Sequence, residues 1–200
     1  MTPFRSTLQK KIQAAGVILR DRGPTDRLRL LKLLYIADRE ALKQRGVPIL
    51  GGLMVAMKHG PLHSEVYDLI KGSHASEAEW SACFQSQGNS ISMILDPGRM
   101  DLSPFEIDLL NTVTDRYQDV DTWELSELTH EFQEWVQSFQ TGTAREIHSE
   151  QLLKALEFTD GEIAGIMQDA ESHSQLMQRL GAWCHFCYTC YPIAMDLKQR

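Results

Sequence analysis

Apolar residues recur at steps of three and four through most of this chain, and the interruptions in that rhythm divide it into elements. Leu8, Ile12, Ala15 and Leu19 fit one helical face, with Ser6 as the expected N-cap and Gly23-Pro24 as the stop. Thr25 is expected to cap a second helix whose apolar positions are Leu30, Leu31, Leu33, Leu34, Ala37, Ala41 and Leu42, ended by Gly46 and Pro48. At about 1.5 Å per residue this is a rod of roughly 30 Å, long enough to be the spine of a small domain. Its apolar stripe is wide, so both of its sides should be covered.

Shorter alternations follow. LMVAMK reads as a strand, and His59-Gly60-Pro61 is expected to turn the chain into a helix with Pro61 in its first turn, Val66, Leu69 and Ile70 inside and Gly72 at its end. Residues 73–89 are polar and weakly patterned, and read as loop with one helical turn. SISMIL alternates again before the Asp96-Pro97-Gly98 turn, and its expected partner is the strand at 53–58. Ser103, Pro104 and Glu106 form a capping box with Leu102 stapled onto Ile107, so a helix starts there. Asp121 and Glu124 repeat the box more loosely, before a stripe from Leu125 through Phe132 to Phe139. Ser149 opens a short helix around Leu152, Leu153 and Leu156. Thr159 and Glu162 form a third box, followed by a seam of Ile163, Ile166, Met167, Ala170, Met177, Leu180 and Cys184. The expected fold is mainly α: a single helical domain of about six to seven helices with a small two- or three-stranded antiparallel sheet.

Composition narrows the class. No apolar run approaches the roughly 20 residues that cross a bilayer, and the N-terminus lacks the apolar core of a signal peptide, so no membrane partner and a cytoplasmic location are expected. In that reducing compartment Cys83, Cys184, Cys187 and Cys190 should be thiols or ligands. The net charge of −7 divides unevenly: residues 1–100 carry 14 Lys/Arg against 9 Asp/Glu, and residues 101–200 carry 6 against 18. Arg20, Arg22, Arg27, Arg29, Lys32, Arg39, Lys43 and Arg45 could make a basic face for a nucleic-acid regulator, but an acidic chain is poorly suited to counterion release, and nucleic acid is not the expected partner.

Four blocks, in order, resemble the Panacea-domain family of SocA-like antitoxins: KLLYIADREALKQRGVPILGG (32–52), VAMKHGPLHSEVYDLIKG (55–72), LSPFEIDLLNTVTDRYQDV (102–120) and WELSELTHEFQEW (123–135). With the IHSEQLLKALEFTDGEI segment the resemblance covers residues 5–170, leaving 171–200 as a helical extension that ends in WCHFCYTCYPIAMDLKQR. The resemblance implies a non-enzymatic antitoxin of a bacterial or phage toxin-antitoxin pair, with a cognate protein toxin as its partner and no cofactor. One member of the family is an adaptor that delivers its toxin to an ATP-dependent protease, which makes such a protease a second implied partner. Some relatives carry an extra N-terminal DNA-binding segment; the first matching helix begins too early here to leave room for one, so autoregulation through DNA is not expected.

Within the matching blocks, Asp38, Arg39, Lys58, His59, Glu65 and Tyr67 form the polar rim expected to bind the partner. Each has a plain structural alternative: an ion pair for the Asp38-Arg39-Glu40 triplet, turn geometry for Lys58 and His59, and an ordinary surface for Glu65 and Tyr67. Tyr35 and Trp123 are large enough to anchor an interface, but aromatics on an apolar stripe are expected in the core. His59, His63, Glu65 and Asp68 crowd one turn without the spacing of a catalytic or metal motif. Cys184, Cys187 and Cys190 make a Cys-x-x-Cys-x-x-Cys run that could begin a metal or iron-sulfur site. The bulky residues between them favour buried thiols instead, as does the fourth ligand, which is missing unless Cys83 supplies it.

Overall fold

The computed structural model describes residues 3–20 and 22–190, with side chains as far as residue 180. Helix α1 (Leu8–Leu19) is capped by Thr7, whose hydroxyl accepts from the Lys10 N–H at 3.1 Å, so the cap lies one residue beyond the expected Ser6. Ser6 instead donates to the Leu50 carbonyl at 2.6 Å, and with Phe4 it ties an N-terminal strap against the segment at 50–52. A two-residue strand β1 (Thr25–Asp26) precedes α2 (Arg27–Arg45). Asp26, not Thr25, caps α2: its carboxylate accepts from the Leu28 N–H at 2.7 Å while Thr25 pairs with Ile91.

Helix α2 is the spine that its sequence predicts. Every residue from Leu30 to Asp38 is buried, with Leu30, Leu31, Leu33, Leu34 and Ile36 in the larger apolar cluster and Tyr35 and Leu42 in the smaller one. Gly46 ends it in the left-handed conformation at φ +69°, its N–H bonded to the Leu42 carbonyl. The larger cluster is completed by α1, by α3 (Ser64–Lys71), by α4 (Glu77–Cys83) through Trp80 and by α5 (Pro104–Arg116) through Leu109, Leu110 and Val113. The capping box of α5 is present as expected, with Glu106 accepting from the Ser103 N–H at 2.8 Å.

The expected pairing of 53–58 with 90–95 does not form. Strand β2 (Met54–Met57) turns over Lys58-His59 into β3 (Gly60–His63), and β6 (Arg145–Ile147) pairs on its other side. A second sheet joins β1 to β5 (Ser90–Met93) and β5 to β4 (Phe84–Gln87) across Gly88-Asn89. Two local hairpins replace one distant pairing, as the smaller cost of closing short loops favours. Pro61 therefore lies in a strand and not in the first turn of α3. It is tolerated because β3 is an edge of its sheet. Residues 73–89, read as loop, hold α4 and β4.

The stripe from Leu125 to Phe139 is two helices, α6 (Thr122–His130) and α7 (Gln133–Ser138). Phe132 breaks it with an extended backbone, which stacks its ring 6.2 Å from Tyr35 and turns Glu134 inward. Helix α8 (Ser149–Ala155) and the long α9 (Asp160–Cys190) close the smaller cluster through Leu152, Leu153 and Ile163. The mainly α expectation holds, with nine helices and two small sheets among the described residues. No helix among the described residues is long and apolar enough to cross a membrane.

Candidate partner-binding surface

The sequence places Lys32, Tyr35, Asp38 and Arg39 on α2 at steps of three and four, and the fold sets them beneath the β2–β3 hairpin and its neighbours. Asp38 is fully buried. Its carboxylate accepts from the Leu50 N–H at 2.6 Å and the Gly51 N–H at 3.0 Å, which fixes the connector leaving α2. His63 lies against it, Nε2 3.4 Å from Asp38 Oδ2 and Nδ1 3.2 Å from the Gly51 carbonyl oxygen. Burial raises the Asp38 pKa, opposed by His63 and those N–H groups; burial lowers that of His63, opposed by Asp38. Asp38 is thus an interior clamp and not the rim residue expected from its place among polar neighbours.

Arg39 is close to the surface but engaged. Its Nε donates to Glu134 Oε1 at 2.8 Å, and its guanidinium lies 4.3 Å from the Phe132 ring centroid. The same Glu134 oxygen accepts from the Tyr35 hydroxyl at 3.1 Å, and burial raises the Tyr35 pKa further than the neighbouring carboxylate does. Removing one partner from such a buried pair typically costs about 3–5 kcal/mol, so Arg39 holds α7 in place whatever else it touches.

Three side chains donate to carbonyls of the hairpin loop and its flanks. Trp135 Nε1 reaches the Met57 oxygen at 3.0 Å, Ser126 Oγ the His59 oxygen at 2.9 Å and Lys32 Nζ the Pro61 oxygen at 2.8 Å. Gly60 is required between them: its φ is +86°, and a Cβ there would lie 2.2 Å from Thr129 Oγ1 and 2.8 Å from Lys32 Nζ. The backbone of the tip is held from α2, α6 and α7, while the side chains of Lys58 and His59 point outward and are exposed.

Beside the tip stands Trp123, 60% exposed, with its ring 5.3 Å from that of His59 at an edge-on 69°. Of the two aromatics weighed in the sequence, Tyr35 is core as expected and Trp123 is not. A signal was available, because Trp123 is two residues from the buried Leu125 on α6 and so falls on another face. His130, Trp135 and Phe139, each half-buried, form a parallel stack with centroids 4.1 and 4.6 Å apart, and the last two pack against the smaller apolar cluster. Glu65 and Tyr67 form a separate group on α3, where Glu65 pairs with Lys11 at 2.9 Å and Lys71 lies 4.9 Å from the Tyr67 ring centroid.

The basic positions of the N-terminal half do not make one open face. Arg20 and Arg22 pair with Asp96 and Asp115, Arg29 donates to the Tyr117, Gln118 and Val120 carbonyls, Lys32 is buried, and Arg45 stacks on Phe105. The Cys184, Cys187 and Cys190 run falls on α9, but those side chains lie outside the described residues.

The family model described as "Antitoxin SocA-like, Panacea domain" matches residues 30–136, from the buried part of α2 to the middle of α7. No curated protein and no solved structure matches the chain. The matched segment holds most of α2, the clamped hairpin and the residues that clamp it, and it spans more than half of the sequence; the chain belongs to the Panacea-domain family of SocA-like antitoxins.

Proposed function

We propose that this chain is an antitoxin that neutralises a cognate protein toxin by direct binding, in the cytoplasm and without catalysis of its own. Residues 5–170 form the antitoxin domain in this reading, and 171–200 are an extension. Membership of the family supports the antitoxin role, and one observation directs the docking site: the exposed ring of Trp123 on α6 meets that of His59 on a hairpin tip whose backbone is already fixed. Aromatic anchors on pre-organised supports lose little freedom on binding and supply much of the energy of protein interfaces. Lys58 and His59 extend the contact, Arg39 and Asp38 support it from below, and Glu65 and Tyr67 lie on a second patch that a large partner could reach. Delivery of the bound toxin to an ATP-dependent protease is a downstream use of the same contact.

Co-expression with the product of the adjacent gene tests this reading. Growth should be restored by the native chain, and purified Trp123→Ala should bind that product about tenfold or more weakly, with an unchanged melting temperature. Failure to restore growth, together with no binding to any neighbouring product, overturns the antitoxin reading. Unchanged affinity in both Trp123→Ala and Lys58→Glu moves the interface away from the hairpin.

A further inference from the structure

Helix α9 changes character along its length. Ile163 is buried, and Ile166, Met167 and Ala170 pack against the smaller apolar cluster. From Glu171 to Leu180 nothing is buried, and Leu176, Met177 and Leu180 are 53%, 52% and 55% exposed. Where the helix leaves the core, a cleft of about 910 Å³ opens between it and the N-terminal strap, with Ile166, Ala170, His173 and Met177 on one wall and Phe4 and Val47 on the other.

The sequence of α9 repeats with a period that calls for a helical partner. Ile163, Ile166, Ala170, His173, Met177 and Leu180 alternate steps of three and four, and the sequence continues the same steps at Cys184 and Cys187. A 3.5-residue period keeps one seam facing another helix of equal period. The distal half also contains Ser, His, Thr, Gly and several aromatics, poor helix formers that need tertiary support to hold a helix of this length.

Charge identifies the partner helix. Residues 160–171 carry Asp160, Glu162, Asp169 and Glu171 and no Lys or Arg, whereas residues 172–190 carry Arg179 and no Asp or Glu. Two copies in parallel register would set the acidic halves against each other. In the antiparallel arrangement each acidic half meets a half without acid, and the helix dipoles oppose. A two-fold axis near Gln175 places Ala170 opposite Leu180 and His173 opposite Met177, with Asp169 on the same side of the seam as Arg179 of the other copy. We propose that two copies of this chain associate by exchanging the distal halves of α9, each lying antiparallel in the cleft of the other.

Sedimentation equilibrium of the full chain tests the pairing. The native chain, of 22.8 kDa, should show twice that mass at micromolar concentration. Leu180→Glu and Met177→Glu should each raise the dimer dissociation constant about tenfold or more with no change in the melt of the domain, and Gln175→Glu, on the outer face, should not. Arg179→Asp should weaken the dimer, and adding Asp169→Arg should restore it, a rescue that parallel helices would not give. A native chain that stays monomeric up to about 100 µM overturns the proposal, as does a dimer that survives Leu180→Glu. A chain that is monomeric alone and loses toxin binding in Leu180→Glu also overturns it, and assigns the cleft to the toxin.

Discussion

Lys32 donates to the Pro61 carbonyl from a position with no solvent exposure, and burial lowers its pKa from 10.5 to about 7. Between those values the unfolded chain holds a proton that the folded chain releases, so stability should rise with pH by roughly 1.4 kcal/mol per unit. Native protein unfolded in denaturant at pH 7 and at pH 9.5 should gain about 3 kcal/mol more than Lys32→Met, which has no amine to titrate. Equal gains in the two proteins would show that the amine is hydrated in solution. Nothing in residue identity marks this role, because a lysine among leucines reads as the polar side of a helix. Asp38 differs: a carboxylate beside Ala37 in the same run could be recognised as paired and partly buried. What could not be read were its closest partners, since Leu50 and Gly51 offer only backbone N–H groups, which leave no mark in residue identity. Trp123 departs from the general expectation that aromatics pack in the core, because the register of α6 sets it off the buried face. Once α6 ends at His130, the face of Leu125, Ser126 and Thr129 is the buried one and Trp123 lies off it.

At the scale of elements, helix starts that consist of local chemistry and the strands at 53–58 and 90–95 were legible, and the pairing of those strands was not. The box at Ser103, Pro104 and Glu106 uses side chains three residues apart and appears as read. The β2–β3 hairpin depends on a turn whose special residue, Gly60, follows the two-residue loop, so the same Gly-Pro pair reads equally well as a helix start. That glycine gives the hairpin a sharp test. Gly60→Ala must accommodate a Cβ 2.2 Å from Thr129 Oγ1 at a positive φ, and the atoms that would have to yield are those holding the loop. A loss of about 2–4 kcal/mol in unfolding free energy is expected, well beyond the ordinary Gly-to-Ala effect. In the proposed docking mode partner affinity should fall as well, because the fixed backbone supports Lys58 and His59. Gly88→Ala is the comparison: its φ is also positive, at +61°, but nothing lies within 4 Å of the added atom, so only the backbone strain of about 1 kcal/mol should appear. Equal losses at the two positions would mean that the clamp on the hairpin adds nothing to stability.

For the whole molecule, the family match and the folding unit do not coincide. Residues 30–136 include the buried part of α2 and the hairpin but omit α1, whose residues from Lys11 to Leu19 are all buried, and β6, which completes the sheet against β2. They also omit Ile147, Leu152, Leu153 and Leu156, which cover Tyr35 and Leu42 from the other side. A chain cut to 30–136 would expose that side of the spine to water. At about 25 cal/mol per Å² of apolar surface, uncovering several large side chains exceeds the 5–15 kcal/mol margin of a typical domain. The segment should therefore be aggregated or lack fixed tertiary packing, with far-UV circular dichroism but no cooperative melt. A chain cut after residue 172 keeps all buried residues through Ile163 and the supporting Ile166, Met167 and Ala170. It should melt cooperatively within a few degrees of the full chain, measured where both are monomeric, while losing the seam carried by Met177 and Leu180. If 30–136 folds cooperatively by itself, the smaller cluster is dispensable and the spine is supported from one side only. If the chain ending at 172 fails to fold, the distal half of α9 belongs to the core and is not an arm offered to a second copy.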